Sequence, residues 1–164
     1  MGAFTLRKGA TADIGFIMET ERQPGYEDFI GHYSQEQHLA RLADPASAYL
    51  LPIDEHGEPQ GFALVRDLDD GSGNIYVQRL AVKSTGAGIG QALLRLVIDW
   101  AFTEAGAHRL WLTVRLNNDR ARYVYFKLGF VEEGIKRQAS VLPDGSRVDL
   151  VMLSILRPEW MARH

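Results

Sequence analysis

Leu80-Ala-Val-Lys-Ser-Thr-Gly-Ala-Gly-Ile-Gly-Gln-Ala-Leu-Leu94 reads as the end of a strand, a glycine loop and the start of a helix. Gly86, Gly88 and Gly90 let the main chain turn tightly and approach a ligand with no Cβ in the way. The helix behind them begins with backbone N–H groups that lack intrahelical acceptors, at the positive end of its dipole, and a phosphate can supply those acceptors. No Asp or Glu occurs between Asp70 and Asp99, although acids are the usual first-turn residues of a helix that satisfies its own dipole. A glycine-rich connection with no ligand is the competing reading, and the neighbouring segments decide between the two.

The chain of 164 residues is long enough for one domain, 1–164, with a sizeable core. Hydrophobic residues make up 46% and charged residues 24%, ordinary values for a globular protein, and no apolar run of about 18 residues is present to span a membrane. Met1 to Lys8 lacks a signal-peptide pattern, so a cytoplasmic location is expected. The absence of cysteine excludes disulfides, thiolate metal sites and cysteine nucleophiles. A net charge of -3 argues against general nucleic-acid binding, which needs a basic face. A cationic small molecule is better tolerated.

Upstream of the loop, Phe4 to Arg7 alternates as a short strand, and Thr11 is placed to cap a helix through about Glu21 with Ile14, Ile17 and Met18 as its apolar positions. Arg22 to Tyr33 breaks helical pattern at Pro24 and Gly25 yet holds Tyr26, Phe29, His32 and Tyr33. These aromatics suit either a substrate wall or packing onto the core beneath. Ser34 with Gln37 is a capping box that opens a second helix, which Asp44-Pro45 stops. Tyr49 to Ile53 and Gln60 to Leu68 read as antiparallel strands, with Pro52 placing the first near an edge, and Asn74 to Lys83 is the third strand of this meander.

Beyond the loop, Gly88 to Glu104 reads as a helix whose buried stripe is Ile89, Leu93, Leu96, Val97, Trp100 and Ala101, ended at Gly106. Arg109 to Leu116 alternates as a strand parallel to the one before the helix, which makes a right-handed βαβ unit. Asn118 or Asp119 caps a short helix from Arg120 to Leu128 that stops at Gly129, before Phe130 and Val131 resume extended structure. Strands near Ile135 to Leu142 and Arg147 to Leu156 flank the turn Pro143-Asp144-Gly145.

With this order in place, the chain resembles the GCN5-related N-acetyltransferases (GNAT). The matching pieces are Leu80-Ala81-Val82, Thr85-Gly86-Ala87-Gly88-Ile89-Gly90, and Asn118-Asp119-Arg120-Ala121 leading through Tyr125 to Lys127-Leu128-Gly129-Phe130. The resemblance implies an α/β fold, a central mixed, mostly antiparallel, splayed sheet flanked by about four helices. It implies acetyl-CoA as cosubstrate and direct acetyl transfer to a primary amine of a small molecule or peptide N-terminus, with no metal. A homodimer follows from family analogy alone. By the same resemblance, Leu80, Ala81 and Val82 pair with the pantetheine arm, and Thr85, Gly86, Ala87, Gly88, Ile89, Gly90 and Gln91 hold the pyrophosphate. Asn118 lies near the pantetheine, with helix capping as the competing role, and Tyr125 protonates the departing thiolate. A phenol with pKa of about 10 suits that task, although a tyrosine on the apolar side of a short helix is otherwise a core residue. Tyr26, Phe29 and His32 are the substrate candidates.

Two positions depart from the family pattern. Thr85 stands where a Gln or Arg is usual, which removes a long donor from the loop. Asn74 to Lys83 contains no acid where many relatives place a glutamate base, so the base is unassigned, with Glu19, Glu21, Asp28 and His32 or a water chain as candidates. A dinucleotide-binding dehydrogenase fails because Gln91 replaces the third glycine, and a P-loop fails because no Gly-Lys-Ser/Thr ends the loop. His32, His38, His56, His108 and His164 lack metal-ligand spacing and read as structural or solvated. A non-catalytic acyl-CoA-binding module is the remaining alternative.

Overall fold

A computed structural model describes residues 3–24, 26 and 32–164. The strands are β1 (Thr5–Lys8), β2 (Ala48–Ile53), β3 (Gly61–Arg66), β4 (Asn74–Val82), β5 (Arg109–Arg115), β6 (Val131–Val141) and β7 (Arg147–Leu156). The helices are α1 (Ile14–Glu21), α2 (Gln35–Ala43), α3 (Ile89–Thr103), α4 (Asp119–Lys127) and α5 (Arg157–Ala162). All seven strands form one sheet in the order β1-β2-β3-β4-β5-β7-β6, with β4–β5 parallel and every other neighbour antiparallel. No described helix is long and apolar enough to cross a membrane.

The two faces of the sheet bury separate cores. On one face α3 presents Ile89, Leu93, Leu94, Val97, Ile98, Ala101 and Phe102 to Ala63, Val65, Ile75, Val77, Leu110, Leu112 and Leu153. The buried stripe is rotated from the expected one: Leu94, Ile98 and Phe102 take the inner positions, while Leu96 and Trp100 sit half-buried at the flank. On the other face α1 packs Ile17 against Tyr49, Leu51, Phe62, Leu64 and Ala81.

β4 serves both cores, and a bulge in it switches which residues face each one. Leu64 pairs with Arg79 but Val65 with Val77, so Gln78 is the extra residue. Odd-numbered Ile75 and Val77 therefore face α3, as do even-numbered Leu80 and Val82, while Arg79 and Ala81 face α1. β4 and β5 pair only at Asn74↔Arg109, Ile75↔Leu110 and Tyr76↔Trp111. Beyond Tyr76 and Trp111, whose rings stack at 4.0 Å, the strands part and the sheet splays.

Several boundaries differ from the sequence reading. Thr11 does not cap α1; Thr11–Asp13 form a 3-10 turn in which the Asp13 carboxylate accepts the Ala10 N–H at 2.8 Å and both Arg7 terminal nitrogens at 3.0 Å. Pro52 lies near the sheet edge as expected, with β1 pairing outside β2. β6 already begins at Val131 and is bulged twice. α5 was absent from the expected set, although Pro158 in its first turn and Glu159, which accepts the Leu156 N–H at 2.9 Å, are its start signals.

Candidate functional site

The glycine loop leaves β4 at the splay. Lys83 N–H bonds the Gln60 carbonyl at 2.8 Å, so alternation turns Ala81 toward β3 as well and turns the main-chain groups of Leu80 and Val82 to the open side. Ala81 and Ile89 bury their side chains. Thr85, Gly86, Ala87 and Gly88 are exposed, and Gly90 and Gln91 are half-buried. Gly86 and Gly88 take left-handed φ of 81° and 78°, which a Cβ would strain. Gly88 is the N-cap of α3, yet no side chain caps that end and no acid lies in its first turn. The helix therefore offers uncapped N–H groups at its positive end, beside the stretch of β4 that has parted from β5.

Asn118 and Tyr125 approach from the far side of the splay. Asn118 caps α4, its Oδ1 accepting the Ala121 N–H at 3.2 Å, so the capping role expected as an alternative is filled. Tyr125 is half-buried, edge-on to Phe130 at 5.8 Å and packed against the α3 core. Burial, with a smaller contribution from Tyr26, pushes its phenol up to about 12.

Tyr26 lies against β4. Its hydroxyl oxygen accepts the Val82 N–H at 2.9 Å, and the Gln23 side-chain amide donates to the Val82 carbonyl. His32 is exposed, and Phe29 and Asp28 lie outside the described residues. Glu19 is exposed too.

Glu21, by contrast, is fully buried in a polar cluster that the sequence reading missed. His38 Nε2 lies 2.8 Å from Glu21 Oε1, and His38 Nδ1 lies 2.5 Å from the Tyr49 hydroxyl. One tautomer satisfies both contacts, with Tyr49 donating to Nδ1 and Nε2–H donating to Glu21. Burial, then the Glu21 charge, raises the Tyr49 phenol well above its ordinary range, which keeps it a donor. Arg79 approaches Glu21 Oε2 at 3.9 Å, and the Tyr33 N–H donates to Oε1 at 3.2 Å. His38 thus has a structural role, as expected of the scattered histidines. Among the described residues no group of acids and histidines could hold a metal ion.

This splayed sheet with its glycine loop and uncapped helix defines an acyltransferase-type fold. The acetyltransferase (GNAT) family profile matches residues 16–130, and the chain belongs to that family. The [ribosomal protein bS18]-alanine N-acetyltransferase of Haemophilus influenzae is 31% identical over 63% of this chain and 69% of its own. The spermidine N(1)-acetyltransferase of Vibrio cholerae is 29% identical over 51% of this chain and 48% of its own. A Bacillus subtilis relative, 35% identical over 81 residues, is likewise matched over only 44% of its length. The crystal structure of Vibrio cholerae spermidine N-acetyltransferase in complex with CoA and spermine has a TM-score of 0.86 at 20% identity, covering 96% of this chain and 98% of that one.

Proposed function

We propose that this chain is an acetyl-CoA-dependent N-acetyltransferase that moves acetyl directly to a primary amine of a small molecule or peptide N-terminus. The observation that carries the reading is the main chain of Leu80 and Val82, turned away from β3 at the splay and running straight into an uncapped helix N-terminus. Leu80 and Val82 pair with the amides of the pantetheine arm as an added strand does. The N–H groups from Gly86 to Gln91 take the pyrophosphate, and the short side chain of Thr85 leaves most of that grip to the backbone. Acetyl-CoA, when bound, supplies an activated acetyl group. The Leu80 N–H faces the same opening and suits an oxygen that gains negative charge during transfer. Tyr125, kept protonated by burial, supplies the proton that the leaving sulfur needs.

Support for an amine acceptor comes from the relatives, one named for spermidine and one for the alanine of a ribosomal protein. The test is incubation with acetyl-CoA and a panel of polyamines, amino acids and short peptides, followed by free thiol. Thiol release with at least one amine is expected. One observation favours a second reading, a non-catalytic acyl-CoA-binding module: β4 carries no acid. CoA binding without thiol release from any amine would establish that reading and sink the first.

A further inference from the structure

Nothing on β4 supplies a carboxylate that could take the proton of an acceptor ammonium. The bulge puts a different group there. Tyr33 lies just ahead of α2, half-buried, with its main chain and ring fixed from several sides. Its N–H is held by Glu21, and its carbonyl accepts from Arg22 at 2.7 Å. The Arg79 guanidinium lies 3.8 Å from its ring centroid, and His38 meets the ring edge at 5.4 Å. The hydroxyl oxygen accepts a hydrogen bond from Gln78 Nε2 at 2.7 Å. Gln78 is the bulged residue, two positions before Leu80, where the main chain of β4 turns to the splay.

We propose that Tyr33 is a catalytic residue of this site, its side-chain oxygen held by the Gln78 amide at the β4 bulge and accepting the proton of the acceptor ammonium. This assignment rests on the acetyltransferase reading. The titratable and charged groups that face Tyr33 are Glu21 of α1, Arg22 just after it, His38 and Arg41 of α2, Tyr49 of β2, and Tyr76 and Arg79 of β4. Burial raises the phenol, but hydrogen bonding by Arg79, then by Gln78 and Arg41, brings it below the ordinary phenol range. Lowering the phenol raises the share of Tyr33 present as phenolate at a given pH, and that form accepts the ammonium proton.

Tyr33 phenolate takes one proton from the ammonium and becomes phenol, which later returns that proton to solvent. The freed amine lone pair forms the C–N bond to the acetyl carbon, and the C–S bond breaks with its electron pair on sulfur. Tyr125 gives its proton to that sulfur and recovers one from the new amide nitrogen. Net products are the N-acetyl amine, the free thiol and one proton released to solvent.

The experiment has an optical arm and a kinetic arm, both on the full chain. Phenolate absorbance is titrated for wild type and Tyr33→Phe, and their difference should show one step below the ordinary phenol range. For an amine that wild type acetylates, Tyr33→Phe should lower kcat/KM by about a hundredfold, leave acetyl-CoA affinity within about twofold, and abolish the part of the pH–rate rise that coincides with the optical step. Gln78→Leu, which keeps the tyrosine, should move that step upward and lower the rate at neutral pH. A Tyr33→Phe protein with the wild-type rate and pH profile overturns the assignment, as does an optical step at or above the ordinary range. If Tyr33→Phe does not fold, an unchanged rate in Gln78→Leu overturns it instead. Wild type that turns over no amine overturns the acetyltransferase reading and Tyr33 with it, so the two failures are distinct.

Discussion

Tyr26→Phe removes the hydroxyl oxygen that accepts the Val82 N–H at 2.9 Å and leaves the ring in place. In the proposed complex that N–H belongs to the pantetheine arm, so the free protein must give up the Tyr26 contact before the arm can pair. A neutral hydrogen bond is worth about 0.5–1.5 kcal/mol net, which corresponds to acetyl-CoA binding about 2- to 12-fold tighter in the variant. Gln23→Ala releases the Val82 carbonyl in the same way. Because both contacts converge on one residue, the double variant should gain less than the product of the two. Titration calorimetry with acetyl-CoA measures this directly. Affinity equal to or weaker than wild type in Tyr26→Phe would refute the competition and make Tyr26 a partner of the bound arm.

Tyr125→Phe should lower kcat roughly a hundredfold with little change in acetyl-CoA affinity; because the phenol is pushed up to about 12, the loss should be constant from pH 6 to 9 in steady-state assays. Asn118→Ala removes the α4 cap at a cost of about 1 kcal/mol, or about 2–4 °C in Tm by calorimetry. Asn118→Asp keeps the cap and should hold the Tm, so any activity it loses reports the side-chain amide. Glu21→Gln removes a buried charge between His38 and Arg79 and should cost about 3–5 kcal/mol in urea unfolding; an unchanged midpoint contradicts the buried pair. Hydrogen bonds from Arg7 hold Asp13 below the usual carboxylate range, so its contribution is complete above about pH 4 and fades as pH falls through the folded value. The Tm difference between wild type and Asp13→Asn should therefore shrink toward acid pH.

What the sequence disclosed follows the range of its signals. Local rules placed the loop, because Gly86 and Gly88 do adopt left-handed φ and no acid offsets the start of α3. The capping box at Ser34 and Gln37 and the turn at Pro143 to Gly145 likewise form where their residue types dictate. The polar cluster stayed hidden because Glu21, His38, Tyr49 and Arg79 come from four elements, and each alone reads as a surface or core residue. A trace of the bulge was present: the apolar positions Ile75, Val77, Leu80 and Val82 step by three between Val77 and Leu80, where a regular strand steps by two. Tyr26 reads from the sequence as a substrate candidate, and its contact with Val82 was not legible there because only the fold brings the two together.

That step of three also has a constructive meaning. With Gln78 subtracted, Val77 is followed by Arg79, and every remaining side chain of β4 keeps the face it occupies, as do the pairings Leu64↔Arg79 and Val65↔Val77. The strand is an intact ladder with one amino acid laid over it. Position 78 belongs to neither hydrophobic layer, and its side chain meets Arg66 and Tyr33 instead. A single-residue deletion there would leave the scaffold in register, while taking away the amide that anchors Tyr33.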